Sequence, residues 1–355
     1  DGARQPYASM FEWLNEKHFS KLCNQSKQAE ELFRRIGITF NVYGQKDEQE
    51  RLIPFDIIPR ILSAQEWRVL EAGIVQRVAA INAFLDDVYN AQEIIKAGII
   101  PSDLINRNKA FLPQMCGFKP PGGIYTHVVG VDIVRTDVNE FFVLEDNARV
   151  PSGVSYMIEN RATMLQMFPE LFTSNHIKQV SNYPKQLFRS LAAGARDIAD
   201  NPNIAVLTPG IFNSAYYEHS FLADEMGVDL LQGSDLEVRD GKVMIRTTAG
   251  IEPVDVIYRR IDDEFIDPLS FDPQSVLGTP GLFDAYRSGN VMLANAPGSG
   301  IADDKAIYSY MPVIIEFYMG AKPLLNNIST WRCGNPDDLG YVLAPRKPVP
   351  KSRGS

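Results

Sequence analysis

The chain has 355 residues, of which 45% are hydrophobic and 22% are charged, and its formal net charge is −9. This composition predicts a globular protein of two or three units, and the negative charge argues against a general nucleic-acid binder while leaving room for cationic substrates such as amines. No apolar run is long enough to span a membrane, and the three cysteines are scattered without CxxC spacing, so we expect a cytoplasmic protein with reduced thiols and no membrane partner.

Helical signals dominate the first part of the chain. Apolar residues recur at helical spacing from 10 to 37, which predicts one or two helices that stop at Gly37. Two prolines in the segment 51–60 require an extended or turning backbone. Ser63 with Glu66 then forms the capping box of a long helix that reaches at least into the mid-eighties.

A β-hairpin follows the breaker KPPGG, in the stretch GVDIVRTDVNEFFVLEDNARVPSGVSY. Two runs of β-branched and aromatic residues flank a polar break, and a Pro-Ser-Gly turn comes after them. If Asp137–Glu140 form the loop, Thr136 lies opposite Phe141, and the same register places Asp132 opposite Glu145.

Three side chains of this hairpin form a candidate magnesium site. Because side chains alternate along a strand, Glu145 and Asn147 point the same way with Asp132 beside them, whereas Leu144 and Asp146 lie on the other face. Two carboxylates that face each other repel, and no nearby basic residue shares their face, so a bound cation would relieve the repulsion. Mg²⁺ takes carboxylate and amide oxygens and usually needs only one or two protein carboxylates. The alternatives are that the acids pair with arginines from elsewhere, or that the register differs by one residue.

Two serines near the Gly153 turn form a second candidate site. The pattern from 156 to 168 predicts a helix, and the turn leaves Ser152 and Ser155 near its start. Backbone N–H groups and hydroxyls at a helix start favour an anion, although simple N-capping by serine explains the pattern as well.

The second half of the chain alternates strands and helices, which predicts a small parallel, Rossmann-like layer. The predicted elements are, in chain order, strand 204–207, helix 213–226, strand 228–231, a hairpin over 236–247 that turns at Asp240–Gly241, and strands 254–258 and 291–294. The first strand is not followed by GxGxxG, so no dinucleotide is expected.

The loop Ala294–Gly300 is a candidate anion-binding loop of this layer. It follows a strand and precedes a predicted helix, an arrangement that presents backbone N–H groups to a ligand. Asn295, Gly298 and Gly300 are therefore candidate cofactor-binding residues, together with Lys305, which is misplaced for a Walker A lysine. A plain strand-to-helix turn explains the loop equally well.

A second candidate in this layer is the stretch Arg259-Arg260-Ile-Asp-Asp263, which sits just past a strand end. Ligands of open α/β sheets bind at such ends. The alternative is a salt-bridged strand terminus.

These motifs resemble a known protein family. Asp132 followed by Glu-x-Asn and then Pro-Ser-Gly is similar to the metal-binding hairpin of ATP-grasp ligases. The wider text EDNARVPSGVSY (Glu145–Tyr156) and LTPGIFNSAYYEH (Leu207–His219) resembles the circularly permuted ATP-grasp proteins related to glutathionylspermidine synthetase, and the resemblance runs over about Pro54–Trp331. The implied fold is α/β with α+β elements, in a circularly permuted ATP-grasp-like arrangement.

The resemblance implies a division of the chain into four segments. They are an N-terminal helical region (1–119), the metal-binding hairpin and helices of the ATP-grasp core (120–200), a Rossmann-like pre-ATP-grasp domain (201–330), and a truncated or disordered tail (331–355).

The resemblance also implies ATP and Mg²⁺ as cofactors, and ligation of a small-molecule or peptide carboxylate to an amine through an acyl phosphate. By role, the residues that would carry it are Asp132, Glu145 and Asn147 for the metal, Arg149, Arg259 and Arg260 for catalysis, and Ser152, Ser155, Asn295, Gly298, Gly300 and Lys305 for the cofactor. At family level, Arg60, Trp67, Gln76 and Arg77 are candidates for polyphosphate contact, or are solvated and salt-bridged side chains.

Two departures from the family affect these expectations. The resembled family has a lysine-bearing, glycine-rich stretch that forms much of the nucleotide clamp, whereas this chain ends in a Pro-rich basic tail, so we expect an incomplete clamp. Gly130 also stands where the synthetases carry an arginine. The alternative function is therefore a non-catalytic nucleotide- or peptide-binding module that keeps the ATP-grasp-like fold.

Overall fold

The computed structural model describes residues 5–36, 39–40, 51–52, 55–137, 140–173, 175–248 and 250–344. Its α-helices are α1 Ala8–Glu16, α2 Phe19–Ile36, α3 Ala64–Tyr89, α4 Glu93–Lys96, α5 Ser102–Asn106, α6 Val154–Met167, α7 Pro169–Thr173, α8 Tyr183–Gly194, α9 Tyr216–Met226, α10 Leu282–Arg287, α11 Lys305–Tyr308, α12 Met311–Met319 and α13 Pro336–Leu343. Its β-strands are β1 Thr39–Phe40, β2 Arg51–Leu52, β3 Gly130–Asp137, β4 Glu140–Asn147, β5 Ile204–Leu207, β6 Asp229–Leu231, β7 Leu236–Arg239, β8 Lys242–Thr247, β9 Gly250–Pro253, β10 Val256–Arg259, β11 Met292–Ala294 and β12 Asn326–Asn327.

The long helix α3 begins at the predicted capping box. The Ser63 hydroxyl accepts a hydrogen bond from the Glu66 amide, and the Glu66 carboxylate accepts one from the Ser63 amide. The helix continues to Tyr89, and one face of its second half is buried in the largest core cluster through Ala80, Ile81, Phe84, Leu85, Val88 and Tyr89. Helices α1 and α2 form in the predicted N-terminal helical stretch, and the predicted stop at Gly37 lies outside the described residues.

Strands β3 and β4 form the predicted hairpin, within a sheet of order β12-β4-β3. Asp132 pairs directly with Glu145, as predicted, and Gly130 pairs with Asn147. The ladder is interrupted next to this pair, because Leu144 is an extra residue in β4 without a partner in β3. Such a β-bulge shifts the register by one residue and changes the face to which the following side chains point.

The register nearer the hairpin loop differs from the prediction. Arg135, rather than Thr136, lies opposite Phe141. The reason is that Thr136 is itself an extra residue in β3, so a second bulge restores the register that the first one shifted. Val138 and Asn139, in the predicted loop, lie outside the described residues.

The predicted Rossmann-like layer is a four-stranded parallel sheet of order β11-β10-β5-β6. Alternate residues of its strands enter two cores, one shared with α8 and α9 and the other with the large cluster around α3. Strand bounds agree with the prediction to within two residues. Helix α9 starts three residues later than predicted because the Asn213 side chain accepts the Ala215 amide, at 2.9 Å, and forms a turn there.

Strands β7, β8 and β9 form a separate antiparallel sheet, with the predicted turn at Asp240–Gly241. All three cysteines are free. Within the described ranges, no helix is long and apolar enough to cross a membrane.

The proposed division into four segments stays a prediction, and packing crosses its boundaries: α8 packs with α9, and α12 packs on α3. The expectation of a tail from 331 onward is wrong for α13. Asn335 caps this helix by accepting the Asp337 amide, and Pro336 occupies its first position. These are ordinary helix-start signals. Residues 345–355 lie outside the described part of the chain.

Candidate functional site

The two hairpin carboxylates lie opposite each other on an accessible face. Asp132 is exposed and Glu145 is half-buried. At the Leu144 bulge, the buried positions of β4 change from odd-numbered to even-numbered residues. Glu145 and Asn147 therefore share the open face, and Asp146 points into the core, as the sequence predicted.

Beneath this face, Asp146 forms a buried ion pair with Arg77 of α3. Nε and Nη2 of Arg77 each lie 2.6 Å from a carboxylate oxygen, and Nη1 donates to Asn327 Oδ1 at 2.8 Å. The Arg77 side chain is 1% exposed and the Asp146 side chain is 0% exposed. The suggested polyphosphate contact of Arg77 is wrong, because its guanidinium is enclosed and anchors β4 to α3 and β12.

A lysine distant in sequence reaches the acidic pair. Lys305 Nζ forms an ion pair with the Glu145 carboxylate and lies 3.3 Å from the carbonyl oxygen of Leu144. The hydrogen bond from Lys305 lowers the pKa of Glu145. Partial desolvation, followed by a hydrogen bond shared with Glu145, raises the pKa of Asp132. The expectation that no basic group offsets these acids is therefore wrong, since α11 supplies one.

Asp132, Glu145 and Asn147 nevertheless fit a magnesium ion. They offer two carboxylates and an amide oxygen on one face, and Mg²⁺ commonly completes such a set with water and substrate phosphates. In the described ranges, no three His, Cys, Asp or Glu side chains gather into a metal-binding group, so the protein alone does not form a closed cage there. Gly130 is closely packed across from Asn147, because an added Cβ would lie 3.2 Å from Pro151 Cβ.

Arg149 and Gly300 meet at a cavity of about 570 Å³. Arg149 is half exposed and pairs with Asp262 at 3.4 Å. A Cβ at Gly300 would lie only 2.9 Å from Arg149 Cδ, so the glycine leaves room for the arginine side chain. Lys109 is the other basic side chain at the cavity, and the acidic ones are Asp263, Glu264, Asp272, Asp303 and Asp304.

Asn295 ties its loop to the hairpin region and does not face a ligand. Its Oδ1 accepts the amides of His127 and Val128 at 2.7 and 3.0 Å, and its Nδ2 donates to the carbonyls of Val128 and Ala148 at 2.6 and 2.7 Å. The residue is 1% exposed. The predicted cofactor contact of Asn295 is corrected accordingly, because its amide group is enclosed and bonded to backbone.

Arg259 and Gly298 are also structural in this arrangement. The buried Arg259 side chain pairs with Asp263 at 2.7 Å and donates to the Asn295 carbonyl at 2.6 Å. The Gly298 amide, predicted to face an anion, donates to Asp263 at 3.1 Å. A Cβ at Gly298 would lie 2.3 Å from Tyr89 Oη, so the glycine is required by packing. Direct ligand contact by either residue is not supported.

Glu218 occupies the anion position at the start of α6. Its Oε2 accepts the amides of Gly153 and Ser155 at 2.7 and 3.0 Å, and the Ser155 hydroxyl at 2.9 Å. Arg260 pairs with the other carboxylate oxygen at 3.3 Å and donates to the Pro151 carbonyl at 2.6 Å. The helix start does bind an anion, but that anion is a buried side chain of the protein, so Ser155 and Arg260 are not available to a ligand.

Of the two serines, Ser152 is exposed and remains a candidate contact. The sequence analysis identified neither this contact of Glu218 nor the position of Asp303. Asp303 accepts the Ala148 amide, next to the metal candidates, and burial raises its pKa to about 6. A carboxylate in a helical turn gives no sequence signal of such a contact.

A family model described as a circularly permuted ATP-grasp matches residues 59–348. The chain belongs to the circularly permuted ATP-grasp family. The fold is similar to that of a solved structure, a glutathione synthetase-like effector (GSS30) from Globodera pallida in its apo form, with a TM-score of 0.53 and 12% identity over 86% of this chain and 69% of that one. The α/β, ATP-grasp-like fold class is thereby confirmed.

Several curated proteins are similar to this ATP-grasp chain. The uncharacterized protein sll0335 of Synechocystis is 48% identical over 96% of this chain and 71% of its own length. The uncharacterized protein Rv2411c of Mycobacterium tuberculosis is 47% identical over 96% of this chain and 61% of its own length. A Frankia alni protein provisionally named glutamate–cysteine ligase 2-3 is 41% identical over 90% of this chain and 37% of its own length. The chain thus spans 71% of the Synechocystis relative and less than two thirds of the others.

Proposed function

We propose that the protein carrying this chain is an ATP-dependent ligase that joins a small-molecule or peptide carboxylate to an amine, the reaction type of glutathionylspermidine synthetase. The observation that carries the proposal is the pairing of Asp132 with Glu145 beside Asn147, on the open face of a hairpin in a circularly permuted ATP-grasp chain. The ligase name of the Frankia alni relative supports the reaction type.

In this proposal, Asp132, Glu145 and Asn147 would hold Mg²⁺, and the ion would supply positive charge to neutralise the phosphates of ATP. Arg149 stabilises the negative charge of the transferring phosphoryl group. Among the three arginines first considered, its side chain alone is accessible, and it lines the cavity. The substrate carboxylate attacks the γ-phosphorus of ATP, ADP leaves, and an acyl phosphate forms. The amine, once it has given up its ammonium proton, attacks the acyl carbon, phosphate leaves, and the nitrogen loses a second proton to give the amide.

Arg259 and Arg260 contribute indirectly. Arg259 fixes the loop that carries Gly300 next to Arg149, and Arg260 fixes the turn that carries Ser152. Catalysis in such a site consists mainly of positioning and charge stabilisation, so these buried arginines act as positioning residues.

The cavity beside Arg149 is the candidate site for the amine. Asp263 is already paired with the buried Arg259, and the four other carboxylates of the lining still outnumber its two basic groups, so its potential favours a protonated amine over a second anion. Arg149 lines this cavity, which supports a role for its guanidinium close to the bound amine. The net charge of −9 acts in the same direction over a longer range.

A hydroxamate assay tests the proposal. The full-length protein, supplied with Mg²⁺-ATP, hydroxylamine and a panel of amino acids, peptides and polyamines, should release ADP and trap the acyl phosphate as a hydroxamate. The variant Asp132→Asn with Glu145→Gln should lose about 100-fold or more in rate, because removing a group that stabilises transferring charge typically costs that much.

Asp137→Asn with Glu140→Gln is the matched control, since these two acids face each other at the other end of the same hairpin. It should keep the parent rate. If no carboxylate in the panel yields ADP or hydroxamate in a folded, nucleotide-binding protein, the ligase proposal fails, and the non-catalytic binding module is the better account.

A further inference from the structure

Lys305 lies where it neutralises the candidate metal site. Its ammonium pairs with Glu145, which also shares a hydrogen bond with Asp132. It also lies 3.3 Å from the carbonyl oxygen of Leu144. That residue is the extra one in the β4 bulge. A residue at a bulge is left out of the regular ladder, so the bulge turns an extra oxygen toward the lysine.

The surroundings of Lys305 allow its ammonium to leave. The lysine side chain is 58% exposed, and Glu145 keeps 33% exposure. An exposed ion pair of this kind is weak and exchanges readily. The Lys305 ammonium also contacts the ring of Tyr308, on the same helix α11, and its Nζ lies 5.6 Å from the ring centroid. The ammonium can therefore move while α11 stays in place.

Charge balance makes the lysine and a divalent ion competitors. Asp132 and Glu145, when ionised, carry two negative charges, and a divalent cation neutralises them completely. If the ammonium stayed on Glu145 beside that ion, the site would carry an excess positive charge and the two cations would repel at short range. One of them must give up its contact with Glu145.

We propose that Lys305 is a displaceable internal counter-ion of the hairpin site, which occupies Glu145 until a divalent cation takes its place. The inference rests on the proposed metal site and adds a competing residue to it. The displaced ammonium is then free to contact an anion bound on the same face. In the metal-free protein the lysine relieves the repulsion between the two opposed carboxylates.

Mn²⁺ binding, measured by electron paramagnetic resonance of the free ion and by titration calorimetry, tests the inference without an activity readout. Lys305→Met should bind Mn²⁺ about three- to fivefold more tightly than the parent, because the metal no longer has to displace an exposed ion pair. Lys305→Arg keeps the charge and should stay within about twofold of the parent, since arginine pairs with carboxylates at least as well.

Lys119→Met is the matched control. Lys119 is similarly exposed, at 65%, and forms an ion pair with Asp86 at 3.2 Å, away from the hairpin. Its loss should leave Mn²⁺ binding unchanged. Circular dichroism and melting temperature without metal establish that each variant is folded.

The possible outcomes distinguish the counter-ion role of Lys305 from the metal site itself. If the parent binds Mn²⁺ and Lys305→Met binds it equally or more weakly, the counter-ion inference is overturned while the metal site stands. If neither the parent nor Lys305→Met binds Mn²⁺, the metal site itself fails. Tight binding by Lys305→Met that disappears when Asp132→Asn is added assigns the gain to the hairpin.

Discussion

Replacing Arg77 by methionine should strongly destabilise the protein. The guanidinium makes two hydrogen bonds of 2.6 Å to Asp146 and one of 2.8 Å to Asn327. Both members of the ion pair are at most 1% exposed. Removing one partner leaves a buried charge without compensation, which costs about 3–5 kcal/mol.

A double replacement distinguishes this explanation from simple loss of packing. Arg77→Met combined with Asp146→Leu removes both charges and keeps apolar volume, and such replacements of buried pairs are often neutral or stabilising. We therefore expect the double variant to be more stable than Arg77→Met alone.

The free energy of unfolding from urea titration, followed by circular dichroism, is the measurement for both variants. Lys96→Met is the control, because its ion pair with Glu93 is exposed on both sides and should be worth at most about 1 kcal/mol. A loss below about 1 kcal/mol for Arg77→Met, or a double variant no more stable than the single one, would refute the reasoning.

Two further predictions concern packing and pH. Gly298→Ala should lower the free energy of unfolding by about 1–3 kcal/mol more than Gly289→Ala does. Both positions have positive φ, but only a Cβ at Gly298 would press against Tyr89. Equal unfolding free energies for the two variants would show that this contact is unimportant. Burial lowers the pKa of His219 from 6.5 to about 3, so the stability due to its neutral form is present above pH 6.5 and is lost as pH falls toward 3. The unfolding free energy of the parent should therefore fall more steeply between pH 6.5 and 4 than that of His219→Gln, and parallel curves would contradict the assignment.

The pairing of Asp132 with Glu145 was predictable because hairpin signals are local. Strand propensity, a polar break and a turn motif all lie within one stretch, and they set the register. The bulges at Leu144 and Thr136 were not predictable, since their shape depends on what packs against each face. The register is shifted only between the two bulges, so the predicted pair Asp132–Glu145 is correct, whereas the predicted pair Thr136–Phe141 is wrong.

The contact between Lys305 and Glu145 joins residues 160 positions apart, so no local pattern announces it. The arginines illustrate the opposite difficulty. Arg259 and Arg260 end a parallel strand, where ligand-binding and structural arginines have the same sequence context. Only the burial of both side chains and their bonds to backbone carbonyls separate them from the accessible Arg149.

The most direct test of the account is the effect of Mg²⁺ with ADP on the melting temperature. A ligand that binds only the folded state stabilises it by mass action, by about 2.7 kcal/mol at one hundred times its Kd. We predict that Mg²⁺-ADP raises the melting temperature of the parent and of the control Asp137→Asn with Glu140→Gln, but not that of Asp132→Asn with Glu145→Gln. An equal rise in the last variant, or no rise in the parent, would contradict the assignment of the hairpin as the metal-nucleotide site.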